Sequence, residues 1–143
     1  MTALSIRRVA DDDYVEMAAG MSSHGRPTTA EEARARSVDW ERRRGGRAYV
    51  VLEAGRVVGT AGISPSRHLD GAVSVGAQYF DGTRDTGLYR VVLEEARKSG
   101  ASVVTCTVVP GDEGERVVWE QLGARFEEGR QGRLHPVLTL GSA

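Results

Sequence analysis

The chain has 143 residues, a formal net charge of −1 at pH 7, 40% hydrophobic and 27% charged residues, and one cysteine, Cys106. This composition excludes a wholly disordered chain and predicts a single domain, residues 1–143, burying roughly 68–70% of its unfolded surface. The lone cysteine excludes an internal disulfide and argues against a Cys-rich zinc site, the near-neutral charge argues against a nucleic-acid footprint, and no apolar run approaches the ~18 residues of a membrane span. The opening MTALSIRRVADDD lacks an apolar stretch of the kind that directs secretion, so a cytoplasmic protein is expected.

In chain order, Leu4–Val9 reads as a strand, and Asp11 or Asp12 can cap a helix running to about Ala19. Gly20–Thr28 reads as a loop, with Gly25 and Pro27 as breakers. Thr29 followed by Glu32 fits a capping box and opens a second helix, which Gly45-Gly46 stops after Arg44. Arg42-Arg43-Arg44 suits the negative end of a helix dipole; a nucleic-acid patch is the other reading. Arg47–Leu52 and Arg56–Ile63 are valine-rich strands joined by a short turn at Glu53-Ala54-Gly55. After a loop from Pro65 to Gly71, Ala72–Phe80 is expected as a third long strand, Asp81–Thr86 as a polar turn and Leu88–Ser99 as an amphipathic helix. Ser102–Val109 is β-branched almost throughout, as a buried central strand would be. A short helix from Asp112 or Gly114 to Leu122 and closing strands at Arg125–Glu127 and Leu134–Leu140 complete the chain. The strand–helix order predicts a mixed sheet with about four helices against it.

The stretch Asp81-Gly82-Thr83-Arg84-Asp85-Thr86-Gly87-Leu88-Tyr89-Arg90 carries the clearest chemistry. A strand feeds a polar turn, and the turn feeds a helix whose first N–H groups have no intrahelical partner. Such a terminus accepts phosphate or pyrophosphate; Gly87 permits close backbone approach, and Arg84 and Arg90 add charge. Cys106, mid-strand, reads as a buried inert thiol; Trp40 and Trp119 read as packing residues. The three histidines lie far apart in sequence and predict no metal site.

With this element order, Arg84-Asp85-Thr86-Gly87-Leu88-Tyr89 resembles the acyl-CoA loop of GNAT-type N-acetyltransferases, Arg/Gln-x-x-Gly-x-Gly/Ala. The helix and its exit after Arg90, Val118-Trp119-Glu120-Gln121-Leu122-Gly123-Ala124 and the hairpin around Glu53–Gly59 resemble further segments of that family. The resemblance runs from Ile6 to about Leu140. It implies an α/β fold whose mixed, mostly antiparallel sheet is splayed between two parallel strands, with acetyl-CoA as co-substrate. Arg84, Asp85, Thr86, Gly87, Leu88 and Tyr89 would form the pyrophosphate loop. Tyr79 would meet the pantetheine arm, which lies between the counterparts of Ala72–Phe80 and Ser102–Val109, and a strand amide would stabilise the oxyanion. Asp112 and Trp119 stand where the family often has an asparagine and the tyrosine that protonates the leaving thiolate.

The implied reaction is direct attack of a primary amine on the thioester, the acceptor being a small molecule, an amino acid or a protein N-terminus. Tyr79, Asp81 and His24 are the catalytic candidates. His24 lies in the first inter-helix segment, which in this family borders the acceptor site; an exposed loop histidine is the plainer reading. Asp81 is equally a turn residue, and Tyr79 equally a packing residue. His68 and Asp70 share one loop, and His135 before Pro136 reads as packing or edge surface. Tyr89, Asp85 and Trp119 depart from the family pattern. They sustain the alternative of a catalytically inactive binding or assembly module without acetyl-CoA affinity, and exposed closing strands suit a homodimer.

Overall fold

The computed structural model describes residues 3–141 and divides into two compact units. The first comprises residues up to Ser64 together with Gly76–Thr83; the second comprises Pro65–Val75 and the chain from Arg84 onward.

In the first unit, β1 (Leu4–Arg8) pairs antiparallel with β2 (Arg47–Glu53), and β2 with β3 (Arg56–Pro65). The β2–β3 connection is two residues long, with φ of +51° at Ala54 and +78° at Gly55, the doubly left-handed turn that matches strand twist. Helix α1 (Tyr14–Ser23) and helix α2 (Ala30–Arg44) supply Tyr14, Met17, Ala18 and Ala33 to a core shared with Val50 and Val57. Thr29 caps α2 through the expected box: its hydroxyl accepts from the Glu32 N–H at 3.1 Å, and the Glu32 carboxylate accepts from the Thr29 N–H at 3.0 Å.

Two expectations for this unit are corrected. Neither Asp11 nor Asp12 caps α1; a one-turn 3-10 helix at Asp11–Asp13 precedes it. Asp13 is the buried carboxylate, accepting from the Ala10 N–H at 2.7 Å and from the two terminal guanidinium nitrogens of Arg7 at 2.7 and 2.8 Å. Helix α1 also runs four residues past Ala19. Gly20 is a packing glycine inside the helix rather than its end, because a Cβ there would fall within the Tyr79 ring.

In the second unit, β4 (Val73–Gly76) runs parallel to β5 (Val103–Thr105), with Val73 opposite Val104 and Ser74 opposite Thr105. β7 (Leu134–Thr139) pairs antiparallel with β5 on one side and with β6 (Arg125–Glu128) on the other. Helix α3 (Thr86–Lys98) buries Leu88, Tyr89, Val92, Leu93 and Ala96, the stripe expected of an amphipathic helix; α4 (Glu113–Gln121) buries Val118 and Trp119.

Both members of the parallel pair are shorter than Ala72–Phe80 and Ser102–Val109. β4 ends at Gly76, and the segment after it takes β3 as partner: Tyr79 O accepts from the Thr60 N–H, Val58 O accepts from the Asp81 N–H, and Phe80 bridges Gly59. β5 ends at Thr105, and Val108 bridges Leu134 beyond a gap of two residues. The two parallel strands thus take different partners past their paired region. Among the described residues no helix is long and apolar enough to cross a membrane.

Candidate functional site

The first unit assembles the three catalytic candidates. His24 follows the last turn of α1, where its N–H bonds Gly20 O and Met21 O. Asp81 follows the segment hydrogen-bonded to β3. His24 Nε2 lies 2.8 Å from Asp81 Oδ1, and both side chains are about 40% exposed. An aspartate on Nε2 selects the tautomer with the proton there and leaves Nδ1 as a lone-pair acceptor. The Tyr79 ring stands beside them, 5.4 Å from the imidazole centroid at 44°. Tyr79 is 3% exposed, and its hydroxyl has no hydrogen-bond partner among the described residues. Burial, reinforced by the Asp81 charge, pushes this phenol up to about 12, so it remains protonated at neutral pH.

The second unit holds the anion-binding candidates. Asp85 is the N-cap of α3, and its carboxylate accepts from the Gly87 N–H at 2.9 Å. One first-turn amide is therefore occupied, while those of Thr86 and Leu88 belong to the donors that lack an intrahelical acceptor. Tyr89 turns inward. It is 2% exposed, its ring lies 5.1 Å from that of Trp119, and its hydroxyl donates to Glu115. Burial, with the Glu115 bond next, raises its phenol far above the usual value. Asp112 caps α4 by accepting from the Glu115 N–H at 3.2 Å. Trp119 is fully buried, and its indole N–H is without a partner among the described residues. Cys106 is buried, and its thiol is pushed up to about 12 chiefly by burial, as for an unreactive cysteine.

Sequence reasoning missed three partners. Glu115 is four residues before Trp119, and its role depends on the Tyr89 side chain turning inward. His68 pairs with Glu127 at 3.2 Å. His135, expected as packing or edge surface, stacks on His68 at 3.9 Å between centroids, and its Nδ1 lies 3.2 Å from Cys106 O, just past β5. No pattern within either local segment signals contacts across more than fifty residues.

The fold is that of the GNAT-type N-acetyltransferases. The aminoglycoside acetyltransferase AAC(6')-Ib, solved with coenzyme A, superposes with a TM-score of 0.77 at 13% identity, covering 96% of this chain and 95% of that one. The yncA protein of Salmonella typhimurium, solved with acetyl-CoA, has a TM-score of 0.67 at 17% identity, covering 99% and 96%. An N-acetyltransferase from Staphylococcus aureus Mu50 has a TM-score of 0.69 at 16% identity, covering 98% and 100%. No protein-family model and no curated protein sequence matches the chain.

Proposed function

We propose that the chain is an acyl-CoA-dependent N-acetyltransferase that moves an acetyl group from acetyl-CoA to a primary amine. The observation that carries this reading is the fold, shared nearly end to end with proteins solved with coenzyme A or acetyl-CoA. AAC(6')-Ib was also solved with paromomycin and with kanamycin, and a small polyamine is one acceptor class for this chain; an amino acid or a protein N-terminus is another.

In this reading the Thr86 and Leu88 amides and the Arg84 and Arg90 side chains bind the pyrophosphate of acetyl-CoA. The inward turn of Tyr89 supports this, since its bulk then leaves the loop to the backbone. The segment that follows β5, from Cys106 to Val109, lines the pantetheine arm. His24 Nδ1 takes the proton of the attacking ammonium, Asp81 holds the ring, and Tyr79 forms the wall behind it. The new C–N bond forms as the thioester C–S bond breaks, and the sulfur leaves as a thiolate. Trp119 offers no acid, so the second proton shed by the attacking nitrogen reaches the thiolate through water.

A second reading, a binding or assembly module without acetyl-CoA affinity, is favoured by Asp85. Its carboxylate sits at the α3 N-terminus, where a pyrophosphate would meet like charge at a cost on the order of 1 kcal/mol. Calorimetry with acetyl-CoA, and with CoA as control, separates the two. The acetyltransferase reading expects binding that Gly87→Val abolishes, and acetyl transfer to an amine panel that His24→Ala slows about 100-fold. Absence of binding at millimolar acetyl-CoA leaves the second reading standing.

A further inference from the structure

The β5–β7 pairing contains a gap that side chains fill. The Leu140 N–H donates to Ser102 O at 2.8 Å, and Val108 and Leu134 exchange both backbone bonds at 2.8 and 3.1 Å. Mutually bonded pairs alternate along an antiparallel ladder, so the register that joins Ser102 to Leu140 and Val108 to Leu134 makes Cys106 and Pro136 such a pair. Pro136 has no N–H, and Cys106 O cannot receive its ladder bond. His135 Nδ1 lies 3.2 Å from that oxygen instead, while Thr105 Oγ1 donates to Pro136 O at 2.9 Å and reaches Cys106 O only at 3.4 Å.

The imidazole is held for this task. The His68 ring stacks on it at 22°, Glu127 Oε1 holds His68 Nε2, and on another flank stands Gly129, where a Cβ would collide with the ring. A trans peptide directs its C=O and N–H oppositely. Turning Cys106 O toward β7 therefore turns the Thr107 N–H to the other side of β5, the side on which β4 pairs. That pairing stops at Ser74 and Thr105, and no acceptor for the Thr107 N–H occurs among the described residues.

We propose that His135 is a positioning residue: it supplies the hydrogen bond that Pro136 cannot, and so aims the Thr107 N–H at an amide carbonyl of the acyl-CoA arm. This rests on the acetyltransferase reading. Cys106 O can only accept, so the contact selects the tautomer with the proton on Nδ1; Thr107 Oγ1, 3.4 Å from the same nitrogen, is then a second, longer acceptor.

The test measures acetyl-CoA affinity by calorimetry in the parent and in His135→Ala, His135→Asn, His135→Gln and the pair His135→Ala with Pro136→Val. Asparagine presents an amide nitrogen near the place of Nδ1, whereas glutamine reaches toward that of Nε2. We expect alanine and glutamine to weaken binding roughly tenfold and asparagine to stay within about twofold of the parent. Pro136→Val restores a backbone N–H and should cancel the alanine loss. If the alanine variant does not fold, the asparagine–glutamine contrast decides. Equal affinities throughout, or an alanine loss that neither asparagine nor Pro136→Val repairs, overturns the proposal alone. A parent that binds no acetyl-CoA overturns the acetyltransferase reading and this one with it.

Discussion

Tyr79 holds a buried hydroxyl that bonds to nothing among the described residues, and its ring occupies the space a side chain at position 20 would need. Removing an unpaired buried hydroxyl removes a desolvation penalty, so Tyr79→Phe should stabilise the protein by about 1 kcal/mol in urea unfolding. Gly20→Ala should cost about 1–3 kcal/mol despite the better helix propensity of alanine, because the Tyr79 ring must be displaced. Stabilisation by Gly20→Ala would mean that the ring moves freely. Asp13 provides a pH test. The Arg7 hydrogen bonds hold its carboxyl below the usual carboxylate range, against the opposing effect of burial. A folded-state value below the unfolded value of about 3.9 means that the contribution is complete above that pH and is lost as pH falls through the folded value. Asp13→Asn should cost about 1–3 kcal/mol at pH 7 and flatten the stability slope below about pH 4. Arg7 is half-exposed, so solvent screens the charge interaction and the hydrogen bonds dominate. A variant with the parent's acid slope would contradict this account.

At the scale of elements, the helix caps carry the most direct predictions. Thr29→Ala removes one half of the α2 capping box and should cost about 1 kcal/mol. Asp85→Ala should act in two directions. It removes the α3 cap, costing about 1 kcal/mol, but it also frees the Gly87 N–H and removes a carboxylate from the proposed pyrophosphate loop. Acetyl-CoA affinity should therefore rise several-fold while the melting temperature falls, and a fall in both would show that the cap matters more than the charge. The α2 caps were also what sequence disclosed best. Thr29, Glu32 and Gly45 lie within or beside one helix, and their bonds follow from local spacing. The end of α1 was not legible at Gly20, because the ring that requires a glycine there comes from residue 79. The end of β5 was not legible at Thr105, because the missing N–H belongs to Pro136. In each case a distant residue overrode the local reading.

For the whole molecule, ligand linkage connects fold and function. If acetyl-CoA binds only the folded chain, a concentration one hundred times the calorimetric Kd should add about 2.7 kcal/mol to the unfolding free energy. For a chain of this size that raises the melting temperature by several degrees. An unchanged melting temperature alongside measured binding would indicate that the unfolded chain binds as well.

The sequence by itself determined the order of strands and helices, the α2 capping box, the apolar stripe of α3 and the resemblance of Arg84–Tyr89 to an acyl-CoA loop. These follow from periodicity, local hydrogen bonding and motif spacing, which act over a few residues. Only the tertiary structure decided that His24 and Asp81 form a hydrogen-bonded pair beside Tyr79, that Tyr89 faces Trp119 and Glu115, and that His135 completes a ladder interrupted by Pro136. Each of these depends on where side chains lie after the chain has packed. Packing unites residues 26 to 57 positions apart, beyond the reach of any local rule.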